Sequence, residues 1–281
     1  MIIALGIILV LLLFVIGGER GIISSVTLFF NIVVLSVSII LMSWGWNAMI
    51  VTFISCLLIS YITLFYQNGE NAKTLASFWA VTAVLLLLFL ISSRIGYVSH
   101  IRGINEMLRA EDDIFIELSP DIHISMAKVA VSIVVIGLVG AALDASIAVS
   151  SAIYEVFKGS RHLTIGQLFK SGINIGSDIL GAMVNTLYFA FLGESLTLFI
   201  LFKDDHYSVQ RIINSKAFSQ EMIYVILSCI SCVLVVPITS IMISYILKNP
   251  IKLRRFLTED ELFKDPVPGS LNISPDPDRD R

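Results

Sequence analysis

The chain has 281 residues, 56% of them hydrophobic and only 15% charged, with a mean hydropathy of +0.88 and a formal net charge of −3. A soluble domain carries roughly a quarter charged residues, so a soluble globular fold is excluded. The small net charge and the absence of a basic stripe interleaved with aromatics exclude nucleic acid as a ligand class. The composition instead predicts an all-α, polytopic transmembrane helical bundle whose first partner is the lipid bilayer.

A spanning helix needs ~20 predominantly apolar residues, and seven apolar runs meet or approach that length. The first covers residues 2–16 and ends at Gly17-Gly18-Glu19-Arg20-Gly21. Lacking a basic n-region and an A-x-A-like cleavage site, it reads as a retained helix and not as a cleaved signal. The second run covers 22–42, followed by a turn at Trp44-Gly45-Trp46 whose indoles suit the headgroup boundary. The third covers 48–66 and the fourth 75–91, joined by Gln67-Asn68-Gly69-Glu70. Residues 94–125 form the longest internal polar stretch. There Tyr97, Val98, Ile101, Ile104 and Leu108 fall at helical spacing opposite Arg102, Glu106 and Arg109, the pattern of an interfacial amphipathic helix. The acidic patch Glu111-Asp112-Asp113 and a connector at Pro120 lead to the fifth span, 126–157. A second amphipathic stretch, 164–180, runs into the sixth span, 181–202, and the seventh covers 222–247. The domain plan is therefore a transmembrane helical domain, 1–247, and a charged tail, 248–281. The tail holds too little apolar surface to offset chain entropy and is expected to be disordered beyond Leu262.

With seven spans, one side of the membrane carries Arg94, Arg102, Arg109, Lys128, Lys203, Arg211 and Lys216. The other carries Arg20, Lys73, Lys158, Arg161, Lys170 and the basic residues of the tail. The second set is larger, so the positive-inside rule puts the carboxyl terminus in the cytoplasm and the amino terminus outside. Cys56, Cys229 and Cys232 all lie in apolar runs and read as buried packing residues. The four histidines are dispersed in loops without metal-ligand spacing, so neither a metal nor a cofactor is expected.

Ionisable residues inside apolar spans are the functional candidates. Asp144 lies in the fifth span, on a face where Gly137, Gly140, Ala141, Ala148, Ser151, Ala152 and Glu155 recur at three- and four-residue intervals. Small residues permit close helix approach, so Asp144 is expected to face a neighbouring helix. The sixth-span helix offers Asn174, Asp178, Gly181 and Asn185 on one face, with Thr186 beside them. The simplest assembly sets these helices antiparallel, with Asp144 near Asn185 or Thr186 and Asp178 nearer the cytoplasmic entrance. Such a seam serves as a proton or cation site, as glue between two helices, or as an intramembrane aspartic dyad. The depth expected to separate Asp178 from Asp144 argues against the dyad, and no enzyme activity is expected. Glu194 reads as a boundary residue, Asn31 as interhelical glue, and Pro237 as a helix kink.

The run from Gly140 to Glu155 and the run from Ser171 to Leu187, with the opening Gly17-Gly18-Glu19-Arg20-Gly21, resemble signatures of the YibE/F-like family of bacterial membrane proteins. The resemblance extends from the first helix to Phe202; it departs at Glu194, where a small residue is expected, and in the acidic tail. It implies the shorter, YibF-type form, a bacterial plasma-membrane location, and a longer YibE-type partner or a homo-oligomer. The order of membrane Asp, amphipathic segment and polar-entry helix also resembles RND, MMPL and SecDF transporters, by pattern only. The expectation is a transporter- or flippase-like membrane subunit, with Asp144, Asp178, Asn185 and Thr186 as coupling residues on a seam supported by Gly137, Gly140, Asn174 and Gly181. The alternatives are a non-transporting assembly subunit and, more remotely, an intramembrane hydrolase.

Overall fold

A computed structural model describes residues 1–98, 126–204 and 206–248 of the chain. The interfacial helix expected in the stretch from Arg94 lies, beyond Val98, outside these residues, as do the acidic patch, the Pro120 connector and the tail past Lys248. Every regular element among the described residues is helical. They are α1 (Ile2–Ser43), α2 (Ala48–Tyr61, continued by a π turn, Ile62–Tyr66), α3 (Ala72–Val98), α4 (Met126–Gly159), α5 (Ile165–Asp204), a short α6 (Val209–Ile213) and α7 (Lys216–Lys248). Among the described residues, six helices are long and apolar enough to cross a membrane.

The first of the six holds two of the seven expected spans. Its helix is interrupted at Gly18, whose φ of 56° and ψ of −133° only glycine adopts readily. The chain turns back there, and a Cβ at Gly21 would run into the carbonyl of Leu13. In a straight helix residues eight apart are ~12 Å apart, so that contact requires the bend. The glycine cluster read as a boundary is therefore a boundary within one long apolar segment.

α1 and α2 form a hairpin across Trp44-Gly45-Trp46, with Asn47 capping α2 through the Met49 amide. The amide of Asn31 donates to Thr63 Oγ1 at 3.0 Å, and Ser38 pairs with Ser55, so Asn31 is interhelical glue as expected. α1 packs chiefly on α2 and its π turn.

The core is formed by α3, α4 and α7, flanked by α2 and α5. Their inner faces carry hydroxyls as well as aliphatic side chains. Ser77 meets Ser150 at 2.8 Å, Ser146 meets Thr239 at 2.9 Å, and Ser231 donates to the Leu138 carbonyl at 3.2 Å. In hydrocarbon no hydrophobic force separates helix from lipid, so small side chains and hydroxyl bonds hold such helices together. Cys56 and Cys232 are fully buried, the latter with its thiol 3.6 Å from the Ala141 carbonyl, in keeping with packing roles. α7 runs unbroken through Pro237.

α5 keeps the expected continuity but departs from the expected interfacial placement of its first part. The amphipathic stretch and the sixth span form one helix of 40 residues, opened by a reciprocal cap between Thr164 and Gln167. At 1.5 Å per residue it is ~60 Å long, twice the ~30 Å hydrocarbon core. Its first part is not a separate element lying flat, because Leu168, Gly172 and Gly176 bury it against α4 and α7. α3 likewise continues to Val98 without a break at Arg94.

Candidate functional site

The register between α4 and α5 follows from two glycines. A Cβ at Gly172 would lie 2.5 Å from Ile153 Cδ1, and one at Gly176 would lie 3.5 Å from a Val149 methyl. One turn along α5 thus matches one turn back along α4, which makes the helices antiparallel. Continued along both helices, that register sets Lys170 level with Glu155, Asn174 with Ser151, Asp178 with Ile147, Gly181 with Asp144, and Asn185 with Gly140. The polar stripe of α5 and the small-residue stripe of α4 therefore lie at matching depths.

They do not close on each other within the chain. Asp144, Gly140, Asn174, Asp178, Gly181, Asn185 and Thr186 are all exposed. On α4 the buried side chains, including Ala142, Ser146, Val149, Ser150 and Ile153, lie on the side opposite Asp144. On α5 the buried residues Leu168, Gly172 and Gly176 lie opposite Asn174, Asp178 and Asn185. Asp144 makes no hydrogen bond among the described residues, and Thr186 Oγ1 donates to the Ala182 carbonyl of its own helix. The expectation that Asp144 is paired with Asn185 or Thr186 inside the chain is corrected accordingly. Spacing defines a helix face, but which face turns inward is decided by the best packing, and here the aliphatic and seryl face of α4 won.

Asp178, expected nearer the cytoplasmic entrance, is level with Ile147, one turn closer than Asp144 to the Lys158 end, but it is not at the interface. Asp144 is eleven residues beyond Glu155, ~16 Å along the helix, and Asp178 is eight beyond Lys170, ~12 Å. Both carboxylates belong to the middle of the bundle.

The glycines divide into two classes. Gly137, Gly172 and Gly176 are filled from inside the chain; at Gly137 a Cβ would collide with the ring of Tyr224. Gly140 and Gly181, the pair flanking the Asp144 level, meet nothing within 4 Å. Between α5 and α7 an open groove is lined by Leu180, Gly181, Val184, Asn185, Tyr188 and Cys229. Cys232, one turn on from Cys229 along α7, has its thiol 3.6 Å from the carbonyl of Ala141, one turn before Asp144.

Basic residues mark both ends of the bundle. At one end Lys73 lies 4.9 Å from the Tyr154 ring, and Lys248 Nζ donates to the Arg161 carbonyl at 2.9 Å. The groups assigned by sequence to one membrane side thus meet in space. At the other end Arg211 stacks on Tyr207 at 3.9 Å. Sequence reading does not single out Glu221, Tyr224 or Ser228, which share an inward stripe of α7; the available signal is their i, i+3, i+7 spacing.

No curated protein and no solved structure matches the chain. One protein family does, described as YibE/F-like protein, and the match covers residues 5–249. That span takes in the broken first helix, the Asp144 face and the polar stripe of α5, and this membrane protein belongs to the YibE/F-like family.

Proposed function

We propose that the chain is the membrane subunit of a transport system, of transporter or flippase type, in which Asp144 is the proton or cation site. One observation carries this reading: a carboxylate sits in the middle of the apolar span Val131–Gly159, exposed, one turn from Gly140, whose Cβ position the chain's own helices leave open. A charged group at that depth costs several kcal/mol against lipid unless it is hydrated, paired or protonated. The same surface therefore requires a second membrane subunit or an aqueous path. Asp178 and Asn185, at neighbouring depths, line the approach, with Thr186 beside them. The subunit works without enzymatic chemistry. It lies in the bacterial plasma membrane with the Lys73, Arg161 and Lys248 end in the cytoplasm.

A second reading is an assembly subunit whose polar stripes only fix helix packing. It is favoured by the outward direction of both stripes, which suits contact with a YibE-type partner or a second copy. Comparison of Asp144→Asn with Asp144→Leu separates the two. The Asn variant keeps shape and hydrogen bonding but cannot titrate. Transport requires that it assemble and yet be inactive; an assembly role requires that it work and that only Leu fail. Cleavage of a membrane peptide that is lost in both Asp144→Asn and Asp178→Asn would instead support an intramembrane hydrolase.

A further inference from the structure

The Lys248 end of the bundle gathers cations that the described residues do not neutralise. α3 begins there and α4 and α7 end there, their apolar residues closing one buried cluster that includes Ala72, Ile153, Ile246 and Leu247. Lys73 follows Ala72 and Lys248 follows Leu247, so helix packing brings both lysines to the rim of that cluster. Tyr154 and Phe157, one turn apart on α4, pack against it as well. The Lys73 ammonium lies 4.9 Å from the Tyr154 ring, and the Lys248 ammonium 5.6 Å from the Phe157 ring. Helical residues three apart have Cβ atoms about 5–6 Å apart, so the two ammoniums flank one patch. Lys248 also donates to the Arg161 carbonyl at 2.9 Å.

None of these contacts removes charge. An aromatic face attracts an ammonium but carries no net negative charge, and a backbone carbonyl is neutral. An ammonium has three donors; Lys248 uses one on Arg161, and Lys73 uses none on a hydrogen bond among the described residues. Glu70 and Glu155, the acids nearest in the chain to Lys73 and Tyr154, are exposed, and neither pairs with either lysine among the described residues. The half-buried lysines therefore keep charge and donors for an anion from outside the chain. Depth selects which anion. Lys73 is the second residue of the span Ala72–Ser92, and Lys248 is the last of the span Ala217–Lys248. Both stand at the hydrocarbon boundary, where lipid phosphates lie, and basic pockets between membrane helices at that level fit anionic headgroups.

We propose that Lys73 and Lys248, seated on Tyr154 and Phe157, bind the phosphate of an anionic phospholipid headgroup. The lysines supply charge and N–H donors, and the two rings hold both ammoniums to the same end of α4. Tyr154 is ten residues along α4 from Asp144, ~15 Å. The lipid site is therefore distinct from the Asp144 face, and it stands whether or not Asp144 carries an ion.

The test is binding of a phosphatidylglycerol with a fluorescent acyl chain to the purified full chain in neutral detergent. Salt of ~0.5 M screens exposed charges and affects partly buried ones much less. Unlabelled phosphatidylglycerol should displace the probe at a concentration at least ~10-fold below that needed of phosphatidylcholine, as two lysines at headgroup level require. Lys73→Gln with Lys248→Gln should bring that ratio towards one, and Lys73→Arg with Lys248→Arg should keep it. Lys128→Gln with Lys203→Gln removes the same charge at the opposite end and should leave the ratio unchanged. A Gln pair at Lys73 and Lys248 that keeps the preference overturns the site, as does an equal loss in the Lys128 and Lys203 pair. Loss in the Arg pair as well would show that the lysines act through packing, and overturns it too. Displacement by inorganic phosphate at the concentration effective for phosphatidylglycerol would assign the lysines to free phosphate and overturn the lipid. Should the Gln pair fail to give a monodisperse protein, each single Gln variant is held to the same criteria.

Discussion

The division of the glycines into filled and open classes makes a quantitative prediction. At Gly172 an added methyl would meet Ile153 Cδ1 at 2.5 Å, Ser240 Oγ at 2.6 Å and Ser240 Cβ at 2.9 Å. Carbon contacts relax to ~3.5–4.0 Å, so α5 must move out by about 1 Å or two side chains must leave their rotamers. Overpacking of that kind costs ~1–3 kcal/mol, against which Ala regains ~0.5–1 kcal/mol over Gly in a helix. Gly172→Ala should therefore lose on the order of 1–2 kcal/mol. Gly140→Ala and Gly181→Ala meet nothing within 4 Å and should gain up to ~1 kcal/mol in the isolated chain. Unfolding of the purified monomer in dilute detergent measures all three. In the bilayer the order should reverse in consequence, because the open glycines are where another surface approaches closely: Gly140→Ala and Gly181→Ala should weaken assembly or activity while the chain stays folded. A loss of monomer stability in Gly181→Ala as large as in Gly172→Ala would mean that the outward face of α5 is packed inside the chain, and the argument for an open site would fail.

Further outcomes can be checked independently. Ser146→Ala and Thr239→Val, taken singly and together, should show a coupling of ~0.6 kcal/mol and no more than ~1.7 kcal/mol, the range for hydroxyl pairs between membrane helices, in a double-mutant unfolding cycle. Impermeant thiol reagents should reach Ser119→Cys but not Ser270→Cys in intact cells; labelling of Ser270→Cys would invert the proposed orientation. Purification in mild detergent should yield an assembly larger than one chain, measured by light scattering, and a fully active monomer would contradict the need for a covering surface.

Much of this architecture was legible because the bilayer imposes simple rules. Apolar runs located the helices, and Gly17-Gly18 located the turn-back in α1, since a positive φ selects glycine. Asn31 was legible for the same reason: an amide in hydrocarbon needs a partner, and Thr63 provides one. Placement was harder to read. The stretch before Gly181 looked interfacial because of its polar residues, yet Gly172 and Gly176 let α4 and α7 approach closely and bury one side of it. The facing of Asp144 was the least legible. α4 has two faces of small residues, one lined by Ser146 and Ser150 and the other by Gly140 and Ala148, and periodicity cannot rank them. Only packing against Ser77 and Thr239 decides that the seryl face turns inward. Glu221 escaped notice because it stands near the start of its span, where a charge is ordinary.

The central claim is that Asp144 carries a proton or a cation, and flux through proteoliposomes tests it most directly. Wild-type protein, reconstituted with whatever subunit co-purifies, should collapse an imposed proton or monovalent-cation gradient, followed by an internal pH or cation indicator. Asp144→Asn, reconstituted to the same level and assembly state, should reduce that flux at least ~10-fold, as expected when the carboxylate that carries the ion is removed. An Asp144→Asn protein that dissipates both gradients at the wild-type rate would contradict the account and leave Asp144 as a bond between membrane helices.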